Sequence, residues 1–200
     1  MLRIGDNLVQ FERGLTDIAQ RQLPFAMSQA LNDAAKDGAE AIVDHLRARL
    51  DRPTPFTLRG TYVKRSSKRK LTAIVGIKDI QAEYLGRLDT GGVRRPRGRA
   101  LLVPVDARLN KYGNLSRGAM QRLTKRKNVF VGRVKGVGGV WQRPSKRAKP
   151  GAAPKLLVRF TDRAEYERQL DVERAVERAV RAGFPRHLVR RLTAAMTAAR

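Results

Sequence analysis

The longest periodic pattern in the chain begins at Pro24. Phe25, Ala30, Leu31, Ala34, Gly38, Ala41, Ile42, His45, Leu46 and Leu50 recur at three- and four-residue steps. Asp33, Lys36, Asp37, Glu40, Asp44 and Arg47 fill the other side. That period predicts one amphipathic helix from about Pro24 to Leu50, with Pro24 suited to its first turn. At about 1.5 Å per residue it would run on the order of 40 Å. Its apolar stripe is narrow and small-sided at Ala30, Ala34, Gly38 and Ala41, so a second helix, from the same subunit or the next, can approach closely. These four and His45 are the expected helix-packing or subunit contacts. Asp51-Arg52-Pro53-Thr54-Pro55 ends the helix, because proline disfavours it both at its own position and at the residue before. Upstream, weak alternation over Leu2–Phe11 predicts a short strand, and Thr16 a cap for a helix over 17–22.

From Thr61 the period changes. Thr61–Lys64 and Leu71–Ile77 are rich in β-branched residues and flank a basic connection, Arg65–Lys70, which predicts a hairpin. Ile80–Leu88 fits a short helix stopped at Gly91-Gly92, and Ala100–Val105 a strand. Asn110–Asn114 reads as a turn, and Ser116 as the cap of a helix through Leu123. Val129–Val134 and Val140–Arg143 form a second predicted hairpin around Lys135-Gly136-Val137-Gly138-Gly139. Pro144–Pro154 is a basic loop, and Lys155–Phe160 a strand. Apolar periodicity then predicts a helix from about Leu170 to Ala182, a break at Phe184-Pro185, and another helix on Leu188, Leu192, Ala195, Met196 and Ala199. The fold class is α+β: a long N-terminal helix, an antiparallel sheet or sandwich in the middle, and C-terminal helices. The expected organisation is a helical region over 1–50, a basic β-rich core over 51–160 and a helical region over 161–200, together one domain with helical extensions.

Charge sharpens this picture. Of 43 Lys and Arg, twenty-eight fall in residues 51–160, against five Asp and Glu there; the whole chain carries +25. The flanks are close to neutral. A block this basic repels itself in isolation, so it implies a polyanion or acidic neighbouring subunits as partner. The cations cluster in expected loops and strand ends: Lys64-Arg65, Lys68-Arg69-Lys70, Arg94, Arg95, Arg97 and Arg99, Lys125-Arg126-Lys127, and Lys146, Arg147 and Lys149. Long cations on loops converge readily on phosphates. Aromatic residues near them are sparse, so backbone contact with double-stranded DNA fits better than base reading.

Other chemistry finds little support. Cysteine is absent, which removes disulfides and thiolate metal sites. No apolar run approaches the roughly 20 residues of a membrane span, and Met1–Gln10 lacks the pattern of a signal peptide. His45 falls on the apolar side of the long helix as a packing residue. His187 stands near Arg190 and Arg191 with no carboxylate beside it in sequence. No His-x-x-His or acidic cluster supplies metal ligands, and the five carboxylates of the basic block are too scattered for an acid/base pair. Gly136-Val137-Gly138-Gly139 lacks the Gly-Lys-Ser/Thr of a phosphate loop and continues as a strand. No catalytic residue, cofactor or metal is expected.

The order of elements resembles the phage minor tail protein Z, or tail completion, family. The matching stretches are Leu23-Pro-Phe-Ala-Met-Ser-Gln-Ala-Leu-Asn-Asp-Ala-Ala, Asn128-Val-Phe-Val-Gly-Arg-Val, and Phe184-Pro185 before the last helix. Leu102-Val-Pro-Val-Asp-Ala-Arg-Leu-Asn-Lys-Tyr-Gly-Asn-Leu is the distinctive remainder. The resemblance spans nearly the full chain and implies a structural protein of a virion tail or neck. It would assemble in the host cytoplasm as a homo-oligomeric ring, six-fold or a multiple of that, against other tail, neck or portal-proximal proteins. It implies no catalytic residues. A free, sequence-independent nucleic-acid-binding protein of ribosomal or nucleoid type is the alternative; it shares the charge but leaves near-neutral helices around a basic centre unexplained.

Overall fold

The computed structural model describes residues 22–96 and 98–198. The expected elements at Leu2–Phe11 and 17–22 lie outside the described residues, save Gln22. Along the chain run α1 (Leu23–Arg49), α2 (Pro55–Leu58), β1 (Thr61–Lys64), β2 (Ile74–Ile77), α3 (Asp79–Thr90), β3 (Gly92–Arg94) and β4 (Leu101–Pro104). They are followed by α4 (Ala119–Thr124), β5 (Val129–Val134), β6 (Val137–Gln142), β7 (Lys155–Thr161), β8 (Ala164–Tyr166) and α5 (Val172–Ala198). The class is α+β, with helices at both ends and antiparallel sheets between them.

Two compact units divide the chain. The first takes residues up to Arg49, Pro55–Glu83 and Leu170 onward; the second takes Leu50–Thr54 and Tyr84–Gln169. The boundaries expected from charge, at 50 and 160, are not those of packing. The hairpin over 61–77, inside the basic block, belongs with the two long helices.

In the first unit α1 and α5 run antiparallel along each other. Asp33 meets Arg190 and Arg191, Asp37 meets His187, and His45 meets Asp171. The β1–β2 hairpin packs on α1 as well. Ala26, Ala30, Ala34, Ala35, Ile42, Leu46 and Leu170 are buried. Side-chain size sets how near α5 comes: a Cβ on Gly38 would stand 3.2 Å from Val176, 3.3 Å from Val180 and 3.5 Å from Val75. Phe25, expected on the buried stripe, is 53 % exposed, while Asp33, expected at the surface, is buried.

Helix α5 continues through Pro185, where the sequence predicts a break. Proline removes one donor and frees the carbonyl of Arg181. Both residues lie away from the buried core, so water can satisfy that group while the opposite face keeps its packing on α1.

The second unit is built on a four-stranded antiparallel sheet of order β4-β7-β6-β5, beside a two-stranded β3–β8 pair. Ala107, Leu123, Val129, Val140, Leu157 and Val158 form its core. The β5–β6 connection is tighter than expected. Val134 pairs with Val137, leaving a two-residue turn in which Lys135 and Gly136 have φ of 47° and 81°. Two positive φ values define the primed turn whose twist suits a hairpin. Ser116 is not the cap of α4. Gly118 holds that position at φ 72°, and Ser116 instead gives its carbonyl to the Ala119 N–H.

Candidate nucleic-acid interface

Helix α1 anchors a basic loop from below. Asn32 is buried and grips the backbone of Ser66 twice: its Nδ2 donates to the carbonyl at 3.1 Å and its Oδ1 accepts the N–H at 2.7 Å. Ser67 and Lys70 then exchange backbone hydrogen bonds, so Lys68 and Arg69 form the tip of a closed turn. Lys68, Arg69 and Lys70 are all exposed.

The same helix pair holds a polar cluster that sequence order hides. Asp33 accepts from Arg190 at 2.9 Å and Arg191 at 2.8 Å, with Lys36 at 3.9 Å. Burial alone would raise the Asp33 carboxyl. Hydrogen bonds and positive charge from Arg191 and Arg190 outweigh it and hold the pKa below the usual carboxylate range. His187 does have a carboxylate partner, contributed from 150 residues away: its Nε2 lies 2.7 Å from Asp37 Oδ2. Arg190 donates towards its Nδ1 at 3.2 Å, so the ring carries its proton on Nε2 and gives it to Asp37. Both ring nitrogens are committed to partners within the chain. His45 plays a similar part, its Nε2 accepting the Asp171 N–H at 3.1 Å just before α5. Ala30, Ala34 and Gly38 are buried in α1 and Ala41 half-buried. Around Gly38 the close neighbours belong to this same chain.

The remaining expected cations belong to the second unit, which carries twenty-three Lys and Arg against six Asp and Glu. Arg94 ends β3, and Arg95 and Arg99 follow in the loop to β4. Arg97 lies outside the described residues. Lys125, Arg126 and Lys127 connect α4 to β5, and Lys146, Arg147 and Lys149 lie between β6 and β7. All of the described ones are exposed. None forms an ion pair with another described residue. Two recesses gather cations from separate segments. One of about 650 Å³ has Arg108, Lys111, Arg122 and Arg126 in its lining together with Asp106, whose ion pair is with Lys155 at 3.5 Å. There Arg122 is occupied in holding Ser116 Oγ and the Arg117 carbonyl. The other, about 800 Å³, has Arg99, Arg133 and Arg159 in its walls.

Comparison with protein-family models, curated proteins and solved structures finds no match to this chain. The chemistry of the site therefore rests on its own residues. Among the described residues no cluster of His, Asp or Glu is arranged to hold a metal ion, and no helix is long and apolar enough to cross a membrane.

Sequence reasoning missed Arg133, Arg159 and Phe160 as neighbours of Arg99, and missed the Asp33–Arg190–Arg191 group altogether. The first set needs the strand register to bring it together. A signal existed, since Arg133 and Arg159 each interrupt an apolar strand. The second set was obscured by placing α1 against a single stripe, when α5 and the hairpin cover a wider arc.

Proposed function

We propose that this chain is a structural protein of a phage tail or neck, assembling as a ring whose basic surface meets double-stranded DNA. The observation that carries it is the second unit's large excess of cations, displayed on loops from separate segments. Contacts of that kind fix a protein on phosphates without reading sequence. The near-neutral helical ends and the resemblance to tail completion proteins support the virion setting. The first unit also leaves large apolar side chains at the surface. Val189 and Met196, both exposed, stand seven residues apart on one side of α5, and Phe56 and Ile80 flank a common recess. They supply area for subunit contacts, which a dispersed DNA-binding protein has no need of.

Titration of duplex DNA at several salt concentrations tests the DNA contact. Affinity should be equal for unrelated sequences and fall steeply with salt. Replacing Arg94, Arg95 and Arg99 with Ser together should weaken all sequences alike, and shallow the log–log slope by about one for each phosphate no longer neutralised. A flat salt dependence, or a marked preference for one sequence, contradicts the proposal.

A further inference from the structure

The ladder between β6 and β7 stops short of the strands themselves. Its last pair is Gly139 with Arg159, although β6 begins at Val137 and β7 runs on to Thr161. The groove of about 800 Å³ lies at this end of the sheet, walled by Arg99, Leu102, Arg133, Gly138, Arg159 and Phe160. Its size falls within the range of about 300–1,000 Å³ common to small-molecule sites. Leu102 and Phe160 are cross-strand partners, as are Arg133 and Gly138. A Cβ on Gly138 would stand 3.9 Å from that of Phe160, so the groove wall next to Phe160 carries no side chain at that position. Phe160 is half-buried and packs in part against the unit's core, and the lining carries Arg99, Arg133 and Arg159 against one acidic residue, Asp162, among the described lining residues.

We infer that this groove receives an unpaired nucleotide, its base against Phe160 and its phosphate on Arg133, which pairs with Gly138 on the Phe160 face of the sheet, and on Arg99. An acidic side chain would be satisfied by the guanidiniums alone and has no use for the ring. A nucleotide joins a flat π-face to a phosphate in one unit, and both halves of the groove are then used. The base must be unstacked, because a duplex keeps its base faces covered. Lys135 adjoins the lining residue Gly136 in sequence, and Arg94 and Arg95 precede Arg99 in the loop to β4; all three are exposed. Binding in the groove is a different contact from the duplex binding proposed above and fails independently of it.

The test uses the full chain and fluorescence anisotropy with three probes of equal length: an oligothymidylate, the same strand with abasic sites, and a mixed-sequence duplex. The oligothymidylate should bind roughly tenfold or more tightly than the abasic strand. Phe160→Leu keeps apolar packing but removes the ring, and Gly138→Val adds a side chain to the groove wall next to it, at a position of ordinary backbone conformation. Each should lower oligothymidylate affinity by about tenfold and leave duplex affinity unchanged. The abasic comparison needs only wild-type protein, so it decides even where a variant folds poorly. Equal binding of oligothymidylate and abasic strand overturns the inference, as does wild-type affinity in both variants. Displacement of the oligothymidylate by a glutamate peptide of matched charge, as effective as by unlabelled strand, also overturns it and assigns the groove to an acidic partner.

Discussion

Asp33 shows how much one buried carboxylate organises. It sits at 7 % exposure between two helices and receives Arg190 and Arg191 from the far end of the chain. Asp33→Asn should keep the shape and lose the charge, at a cost on the order of 1–2 kcal/mol, limited because both arginines keep part of their hydration. The pH dependence has a definite sign. Because its pKa is lower in the folded protein, a proton binds more tightly to the unfolded chain. The stabilisation is then complete above the ordinary carboxylate pKa of about 3.9 and is lost as pH falls through the folded value. Denaturant midpoints should show wild type ahead of Asp33→Asn near neutrality, with the gap closing in acid. A gap that persists unchanged in strong acid would assign the effect to packing. Periodicity alone placed Asp33 on the solvent side, since it counts apolar residues and cannot register a carboxylate that brings its own counter-ions.

At the scale of elements, the two long helices depend on each other. Gly38→Leu would drive a side chain into Val176, Val180 and Val75, and overfilling of this kind costs roughly 1–3 kcal/mol. Because these neighbours lie in the same chain, the loss should appear as a lower melting temperature of the protomer itself, before any assembly step. An unchanged melting temperature would contradict the close approach of α1 and α5. Pro185→Ala should do the reverse. It restores a donor inside α5 away from the buried core and should raise stability by about 1–3 kcal/mol in chemical denaturation; a loss of stability would indicate that the proline fits a bend the packing requires. Helix α1 and both hairpins were legible because their hydrophobic periods are strong and their turns carry Gly or clustered polar residues. Pro185 misled because a proline on the outer face of a well-packed helix is tolerated. Ser116 misled because Gly118 offers the positive φ that α4 needs to start, a conformation in which a serine would be strained.

At the scale of the whole molecule, charge and packing follow different divisions. The excess of cations over carboxylates lies mainly in one unit, while the large helical surfaces, with exposed Val189 and Met196, belong to the other. The expected cationic clusters were visible in the sequence because Lys and Arg announce themselves by count. The groove that gathers Arg99, Arg133, Arg159 and Phe160 was not, because it exists only once β4, β6 and β7 are in register. The proposed ring would draw on both, on the basic unit for a polyanion and on the exposed apolar side chains of the other for neighbours. Electron microscopy of the purified protein, alone and with duplex DNA, tests that claim most directly. The account predicts closed rings of uniform copy number with DNA passing through their centre; particles that remain monomeric at high concentration, both alone and with DNA, would contradict it.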